Sequence, residues 1–506
     1  MKLSRRNMMG GALAGAFCPW SWVSADDAPR RPNVVIIHTD EHNFRTLGCY
    51  RALLAKEQSR VWGEAAVLET PHVDALAARG ALCDRFYAAS PVCTPSRASF
   101  LTGRYPQNTG APSNDMPLSD GMVTFGEVLR RVGYQTGYFG KWHLDGPSKP
   151  GWAPARAFGF EDNTYMFNRG HWKQFEDTAK GPAVKARNAK GEPTYAVDGA
   201  DEKSFATDYL ADKAVAFIQK HKDRPFCLML SLPDPHGPNT VRAPYDTLYQ
   251  QMTFKLPATA GGKGRLEDMA RYFGMVKCID DNVGKIMASL KAAGLEEKTI
   301  VVFTSDHGDM CGEHGLNNKG VPYEASAKIP FIIAYPGRIK PASVVREALD
   351  TTDFKPTLLG LLGLPQDARD EGRDASALLL NGWAPAGWRD VAFSRNCAGK
   401  WLMAVSGRYK FVVWRDRPPC FFDLVRDPLE TRDLFFEPAA RETMRELARE
   451  LVGYAKRSNE PYAQTPAVQA DMVWAAEGAS AYVPPPRAAA KAGNKKDRGA
   501  AGEDEE

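Results

Sequence analysis

Asn33-Val34-Val35-Ile36-Ile37-His38-Thr39-Asp40-Glu41 begins as a β-branched apolar run and then turns polar. A run that is apolar without alternation is the pattern of a strand buried on both faces of a parallel sheet. Three more runs read the same way: Gln135-Thr136-Gly137-Tyr138-Phe139, Phe226-Cys227-Leu228-Met229-Leu230-Ser231 and Thr299-Ile300-Val301-Val302-Phe303-Thr304. Helical periodicity lies between them. Leu210, Ala214, Phe217 and Ile218 share one helical face, and Met269, Phe273, Val276, Val283, Ile286, Met287 and Leu290 form a longer stripe that ends near Gly294. Strand and helix in alternation predict an α/β domain over residues 32–384, with a large, mostly parallel sheet sandwiched by helices.

After residue 385 the texture changes. Trp401–Val405 and Tyr409–Trp414 flank Ser406-Gly407-Arg408, a hairpin signal, and Phe421-Phe422-Asp423-Leu424 reads as a third strand. Glu442–Lys456 follows as an amphipathic helix. Residues 385–480 are therefore expected to form a smaller α+β unit on an antiparallel sheet. From Pro484-Pro485-Pro486 to Glu503-Asp504-Glu505-Glu506 the composition is that of a disordered tail, residues 484–506.

At the other end, Ser4-Arg5-Arg6-Asn7-Met8-Met9 precedes a mild apolar run, Gly10 to Phe17, and Val23-Ser24-Ala25 offers a small-x-small cleavage site. Residues 1–25 read as a twin-arginine-like signal peptide, too short and weakly apolar in its core to span a bilayer, so no transmembrane segment is expected in the mature chain. The expected location is periplasmic or secreted.

The chain has 506 residues, 43% hydrophobic, 10% aromatic and 25% charged, which excludes a disordered or collagen-like protein. Its formal charge is +4, and Lys2, Arg5 and Arg6 of the signal segment account for three of those charges. A near-neutral mature chain gives no electrostatic footprint for nucleic acid. Nine cysteines show no CxxC or other zinc spacing, and Cys227 and Cys278 sit in apolar stretches as small hydrophobes.

Each of the four apolar runs ends in ionisable residues: His38-Thr39-Asp40-Glu41, Gly140-Lys141-Trp142-His143, Pro233-Asp234-Pro235-His236-Gly237-Pro238 and Ser305-Asp306-His307-Gly308-Asp309. Singly, each reads as a polar loop. Together they point to one pocket, because ligands of open α/β sheets bind outside the carboxyl ends of the strands. Asp40 and Asp306, with Glu41 nearby, are hard oxygen ligands suited to Ca²⁺ or Mg²⁺. Lys141, His143, His236 and Lys319 supply positive charge and proton donors. A hard cation with several cationic side chains suits a phosphate or sulfate ester.

The nucleophile is read from Ser90-Pro91-Val92-Cys93-Thr94-Pro95-Ser96-Arg97-Ala98-Ser99-Phe100-Leu101-Thr102-Gly103-Arg104. A helix beginning at Pro95 would aim its N–H groups at an anion beside Cys93, and Arg97 would hold that anion with two hydrogen bonds. On the residues alone, Cys93 is a candidate thiolate nucleophile.

Cys93-Thr94-Pro95-Ser96-Arg97 followed by Leu101-Thr102-Gly103-Arg104 resembles the sulfatase signature, C-x-P-S-R then L-T-G-R. Gly140-Lys141-Trp142-His143-Leu144, Pro235-His236, Thr304–Asp309 with Gly312-Glu313-His314-Gly315, and Lys319-Gly320 match in the same order. The likeness spans about Pro32 to Leu364, with Phe422-Asp423-Leu424 and Asp427-Pro428 matching weakly. It implies a formylglycine-dependent type I sulfatase with an alkaline phosphatase-like fold.

The resemblance implies that Cys93 is converted to Cα-formylglycine by a maturation enzyme. One hydroxyl of the hydrated aldehyde attacks sulfur and the other later expels sulfate. His236 or Lys319 would protonate the leaving alcohol, while Arg97, Lys141, His143 and Lys319 neutralise charge. Asp40, Glu41, Cys93, Asp306 and His307 would hold one Ca²⁺. Two positions depart from the common pattern: Glu41 replaces Asp or Gln, which leaves its direct coordination open, and His307 replaces Asn.

The expected function is an exported sulfatase acting on a carbohydrate, alkyl or aryl sulfate ester. The alternatives are a phosphonate monoester or phosphodiester hydrolase of the same superfamily, or a non-catalytic glycan-binding protein. Twin-arginine export, which moves folded proteins, would let the cytoplasm modify Cys93 before translocation. His42, His72, His171, His221 and His314 are expected to be surface or local hydrogen-bonding residues, since none ends a strand in the pattern. Trp152, Phe158, Phe160, Tyr165, Phe167 and Trp172 are expected to form the core of an inserted loop rather than a sugar-binding wall.

Overall fold

The computed structural model describes residues 31–478 and 481–487. Residues 1–25, expected to be a signal peptide, and the chain beyond Arg487 lie outside them. Residues 32–487 belong to one compact unit.

Its main sheet has eight strands: β1 (Asn33–Thr39), β2 (Ala81–Cys83), β3 (Gln135–Lys141), β4 (Met166–Phe167), β5 (Phe226–Ser231), β6 (Thr299–Ser305), β7 (Phe331–Ala334) and β8 (Ser343–Val345). Their order across the sheet is β8-β2-β7-β6-β1-β5-β3-β4. The four apolar runs are thus four consecutive neighbours, and all pair in parallel: β6 with β1, β1 with β5, β5 with β3. Only β7 runs antiparallel to its neighbours, so the sheet is mixed but mostly parallel.

Burial follows the period of two. Val35 and Ile37 pack on one face with the helices Ala206–His221 and Met269–Ala292. Val34 and Ile36 pack on the other with the helices Cys93–Thr102 and Phe354–Leu361. Neither face of β1 touches water, which is why its run is continuously apolar. Between β3 and β5 the backbones approach unusually closely at Gly140. It has φ +103°, and a Cβ there would lie 1.8 Å from the Ser231 carbonyl oxygen. Only glycine fits.

The second sheet is antiparallel: Ala392–Arg395, Trp401–Val405, Tyr409–Trp414 and Cys420–Asp423 in order. The hairpin and third strand fall where the sequence places them; Ala392–Arg395 adds a fourth. One face carries Leu402, Phe411 and Phe421 against Leu447 and Leu451 of the helix Arg441–Arg457. The other carries Trp401, Met403 and Val412 against Tyr87, Ala327 and Ala348 of the main unit. Beyond this, Tyr482 donates to Asp471, and Arg487 donates to the Trp414 carbonyl, so the described chain stays attached past Pro486.

Trp152 packs on Phe167 and Phe175, and Phe160 on Tyr138, so the inserted aromatics form a core. Cys227 and Cys278 are buried and free. Among the described residues no helix is long and apolar enough to cross a membrane.

Candidate active site

The strand ends deliver the functional side chains in adjacent positions. β1 hands on to Asp40 and Glu41, β3 to Lys141 and His143, β5 to His236, and β6 to Asp306 and His307. Glu41 and His143 are held at φ +62° and +58°, conformations that non-glycine residues adopt at a cost of about 1–3 kcal/mol. The helix expected from Pro95 begins at Cys93 itself, so residue 93 is carried by the first turn.

Cys93 is fully buried. Its Sγ lies 3.2 Å from His307 Nε2, 3.7 Å from Asp40 Oδ1 and 3.7 Å from Lys141 Nζ. Arg97, one turn along the same helix, donates from Nε to Asp306 (2.9 Å) and from Nη2 to Asp40 (3.0 Å). Its Nη1 donates to the Lys141 carbonyl and to Ser231 Oγ. Lys141 Nζ adds a second ion pair to Asp40 at 2.8 Å. Burial opposes ionisation of Asp40, but Lys141 and Arg97 outweigh it and hold the carboxyl well below its ordinary range. Asp306 is also lowered: burial and the Asp40 charge oppose its ionisation, and His307 and Arg97 overcome them.

His307 reports its own tautomer. Nδ1 lies 3.0 Å from the Gly308 carbonyl, which can only accept, so Nδ1 carries the hydrogen. In the neutral ring Nε2 then turns a lone pair toward Cys93 and lies 3.7 Å from Asp40 and 3.5 Å from Asp306. Donor atoms of Asp40, Cys93, Asp306 and His307 all lie within 4.8 Å of one another. Two buried carboxylates and an imidazole lone pair aimed together fit a divalent cation. Asp40, Cys93, His171 and His236 form a second set of that size. There Lys141 Nζ already lies 2.6 Å from His171 Nε2, and Lys319 Nζ 2.5 Å from His236 Nε2, so a cation would meet two ammonium groups.

Glu41 is engaged elsewhere. Its Oε2 lies 2.9 Å from His236 Nε2 and 3.2 Å from Lys319 Nζ, and the structure does not bring its carboxylate into the first donor set. Burial raises its pKa, but His236 and Lys319 more than reverse this and keep it ionised. Lys319 is shifted upward: burial opposes its charge, and Cys93, Glu41 and Asp40 favour it. His143 Nε2 lies 3.1 Å from Asp115, leaving Nδ1 buried without a partner in the protein. Side chains of Cys93, Arg97 and Lys141 are closed off, whereas His236 is 11% exposed, Lys319 9% and Asp115 36%. The cluster therefore opens to solvent past His236, Lys319 and Asp115.

Residues 32–364 match the Sulfatase family model, and residues 312–457 match the model described as N-sulphoglucosamine sulphohydrolase, C-terminal. The chain belongs to the sulfatase family. It is 30% identical over 451 residues to the ulvan-active sulfatase of Formosa agariphila, covering 84% of this chain and 81% of that protein. A solved protein in complex with its substrate D-glucosamine-2-N,6-O-disulfate superposes with a TM-score of 0.68 at 22% identity, covering 86% of this chain and all of that one. The phosphonate monoester hydrolase of Silicibacter pomeroyi superposes with a TM-score of 0.66 at 23% identity, over 86% and 97% of the two chains. The fold is the alkaline phosphatase-like one, and the protein is a sulfuric ester hydrolase.

In this sulfatase nine of the ten residues singled out in the sequence are joined by the contacts above, while the ring of the tenth, His143, lies on Asp115. Asp115 and His171 are neighbours that the sequence pattern does not reveal. His171 is buried, not a surface or purely local residue: its ring stacks on His236 with centroids 3.4 Å apart at 6°. It follows β4, a strand of two residues that pairs with β3 where Lys141 ends. So short a strand has no readable periodicity, and the strand-end rule could not reach His171. His42 is buried too, but it does make local hydrogen bonds, to Thr39 and Thr46.

Proposed function

We propose that this sulfatase removes sulfate from a carbohydrate sulfate ester, with Cα-formylglycine formed from Cys93 as its nucleophile. The observation that carries the reading is the position of Cys93. It lies in the first turn of a buried helix, within 3.7 Å of His307, Asp40 and Lys141, beside the ends of four adjacent parallel strands. The ulvan-active relative and the glucosamine-disulfate complex support a sugar as the leaving alcohol.

Asp40, Asp306 and His307, with the oxygen at residue 93, would hold Ca²⁺, which supplies fixed positive charge against the oxyanion. Formylglycine supplies, as its hydrate, two hydroxyls on one carbon, one to attack sulfur and one to expel sulfate afterwards. The remaining work falls to this chain's side chains. Arg97 holds both carboxylates in place, and Lys141 counters charge beside residue 93. Asp115 accepts from His143 Nε2 and fixes the ring; with the ring protonated on both nitrogens, Nδ1–H donates to an ester oxygen. His236, at the open side, delivers a proton to the departing alcohol oxygen as the S–O bond breaks and its electrons stay on that oxygen. Lys319 shares His236 Nε2 and is the second candidate for that proton. Glu41 orients both cations rather than binding the ion.

Residues 1–25 support export to the periplasm or beyond, with a maturation enzyme acting on Cys93 first. The catalytic part is read as residues 32–384 and its companion as 385–480.

Mass spectrometry of the peptide containing Cys93, with turnover of an aryl sulfate, tests the reading. The expected peptide carries an aldehyde in place of the thiol. An intact thiol in active protein overturns the nucleophile, and unchanged activity in Cys93→Ala overturns the enzymatic reading of this site. The imidazole at His307 also suits a phosphonate monoester or phosphodiester hydrolase, so an aryl phosphonate is run alongside; preferential turnover of the phosphonate replaces the sulfate reading.

A further inference from the structure

We propose that His171 is a positioning residue that holds the leaving-group acid His236 and the charge-bearing Lys141 in one fixed arrangement across residue 93. The inference rests on His236 acting as that acid.

Two contacts carry it. The His171 and His236 rings lie face to face, 3.4 Å between centroids and 6° from parallel. In the same ring, Nε2 lies 2.6 Å from Lys141 Nζ. An ammonium has only hydrogens to offer, so Nε2 is the acceptor. One imidazole thus touches both functional groups, through its face and through its edge. Neither contact is available to a smaller residue.

The segment around it is built for the same purpose. Lys173, two residues on, is fully buried and donates to Asp234 Oδ1 at 2.7 Å and to the His236 carbonyl at 3.0 Å. Asp234 is further held by Thr207 at 2.6 Å. Residues 171 and 173 therefore grip the His236 loop at its ring and at its backbone. His236 Nδ1 lies 2.8 Å from the Gly237 carbonyl, which leaves Nε2 as the atom that exchanges a proton with Glu41, Lys319 or substrate.

Burial, with the neighbouring His236 and Lys141, pushes His171 well below the ordinary histidine range. A neutral ring agrees with its acceptor role, while the stacking itself is a matter of shape. A general acid contributes roughly 10²–10⁴-fold only when its proton is aimed at the departing oxygen. A ring free to tilt loses part of that factor, and loses most where the leaving group needs most help.

The test is a series of aryl sulfates of graded phenol acidity, ending in an alkyl sulfate, run on the mature enzyme with His171→Ala, His171→Phe and His236→Ala. The readout is the slope of log kcat/KM against leaving-group pKa. His236→Ala is expected to steepen the slope. His171→Ala is expected to steepen it in the same sense, with about tenfold loss on the poorest leaving group. A variant carrying both His171→Ala and His236→Ala, run alongside, is expected to resemble His236→Ala alone, because the two act as a unit. His171→Phe keeps a flat ring and a foldable core, so it should keep a shallow slope while losing the Lys141 contact and raising KM. A wild-type slope in His171→Ala alongside a steepened slope in His236→Ala overturns the proposal alone. An unaltered slope in His236→Ala overturns the acid role beneath it, and the proposal with it.

Discussion

The carbonyl oxygen of Gly320 accepts the indole hydrogen of Trp401 at 3.0 Å. It also accepts from Asn396 at 2.9 Å, and the Gly320 N–H donates to Pro91 at 3.1 Å. The smaller sheet thus reaches across to the loop that carries Lys319, and that loop reaches the turn before Cys93. Trp401→Phe keeps an aromatic ring in the buried face but loses one hydrogen bond, worth about 1 kcal/mol. We expect kcat/KM for an aryl sulfate to fall about fivefold, with a melting temperature within about 2 °C of wild type.

Arg97 reaches two buried carboxylates, the Lys141 carbonyl and Ser231 Oγ from one rigid fork, four acceptors that an ammonium with three hydrogens cannot serve at once. Asp40 keeps Lys141 at 2.8 Å in Arg97→Lys, so what the variant loses is the arginine's simultaneous hold on Asp306, Ser231 and the Lys141 carbonyl, about 1–3 kcal/mol. The variant should unfold at clearly lower urea concentration and lose at least about 10²-fold in kcat. Wild-type stability in Arg97→Lys would show that the arginine is not holding these charges.

Calcium should stabilise the fold through Asp40, Asp306 and His307. At a hundredfold excess over Kd, a ligand that binds only the native state adds about 2.7 kcal/mol. Chelation is expected to lower the melting temperature of wild type, and added Ca²⁺ to restore it. Asp306→Ala should show no such shift, and Glu41→Gln should keep most of it, since Glu41 lies on His236 and Lys319. Differential scanning calorimetry with and without Ca²⁺ separates these outcomes.

Glu430 and Glu324 share the buried Lys410 ammonium, at 2.8 and 2.7 Å. Burial, offset in part by Lys410 and reinforced by Glu324, pushes Glu430 up to about 7. The folded state therefore holds this proton more tightly than the unfolded chain does. The stability it contributes is complete below the unfolded value of about 4.5 and is lost as pH rises through 7. That loss amounts to about 3 kcal/mol for wild type. Glu430→Gln should lower absolute stability, because an amide faces Lys410, yet flatten the decline between about pH 5 and pH 8 in urea titrations. Glu324, lowered to about 2, acts in a separate window: its stability is present above the unfolded value and lost as pH falls toward 2.

Gly140→Ala meets both a left-handed backbone and the Ser231 carbonyl. A loss of about 4 kcal/mol or more is expected, and soluble yield measures it. Because Gly140 directly precedes Lys141, any protein recovered should also have impaired turnover.

Much of this was legible because the central strands are buried on both faces, so the apolar runs at β1, β5 and β6 mark their own boundaries to within two residues. Site residues that end those strands were legible for the same reason. Glu41 is a metal candidate by position; its Oε2 lies on His236 and Lys319, while its Oε1 is buried without a partner in the protein. His171 and Asp115 sit in irregular chain, where neither period nor spacing carries information, and only the fold brings them to Lys141 and His143. The strand Ala392–Arg395 was missed because its apolar content is too short to stand out from the loops around it.

The pairing of β1 has a consequence in time. Its partners on either side begin with residues 193 and 266 positions downstream of Asn33. The first strand to be made thus waits for its neighbours: one edge finds its partner only after residue 231 has emerged, and the other only after residue 305. Topologies dominated by such distant pairings fold slowly and leave sticky intermediates along the way. Recovery of activity on refolding should therefore lag behind recovery of helix, and molecular chaperones that mask Val34–Ile37 should raise the yield.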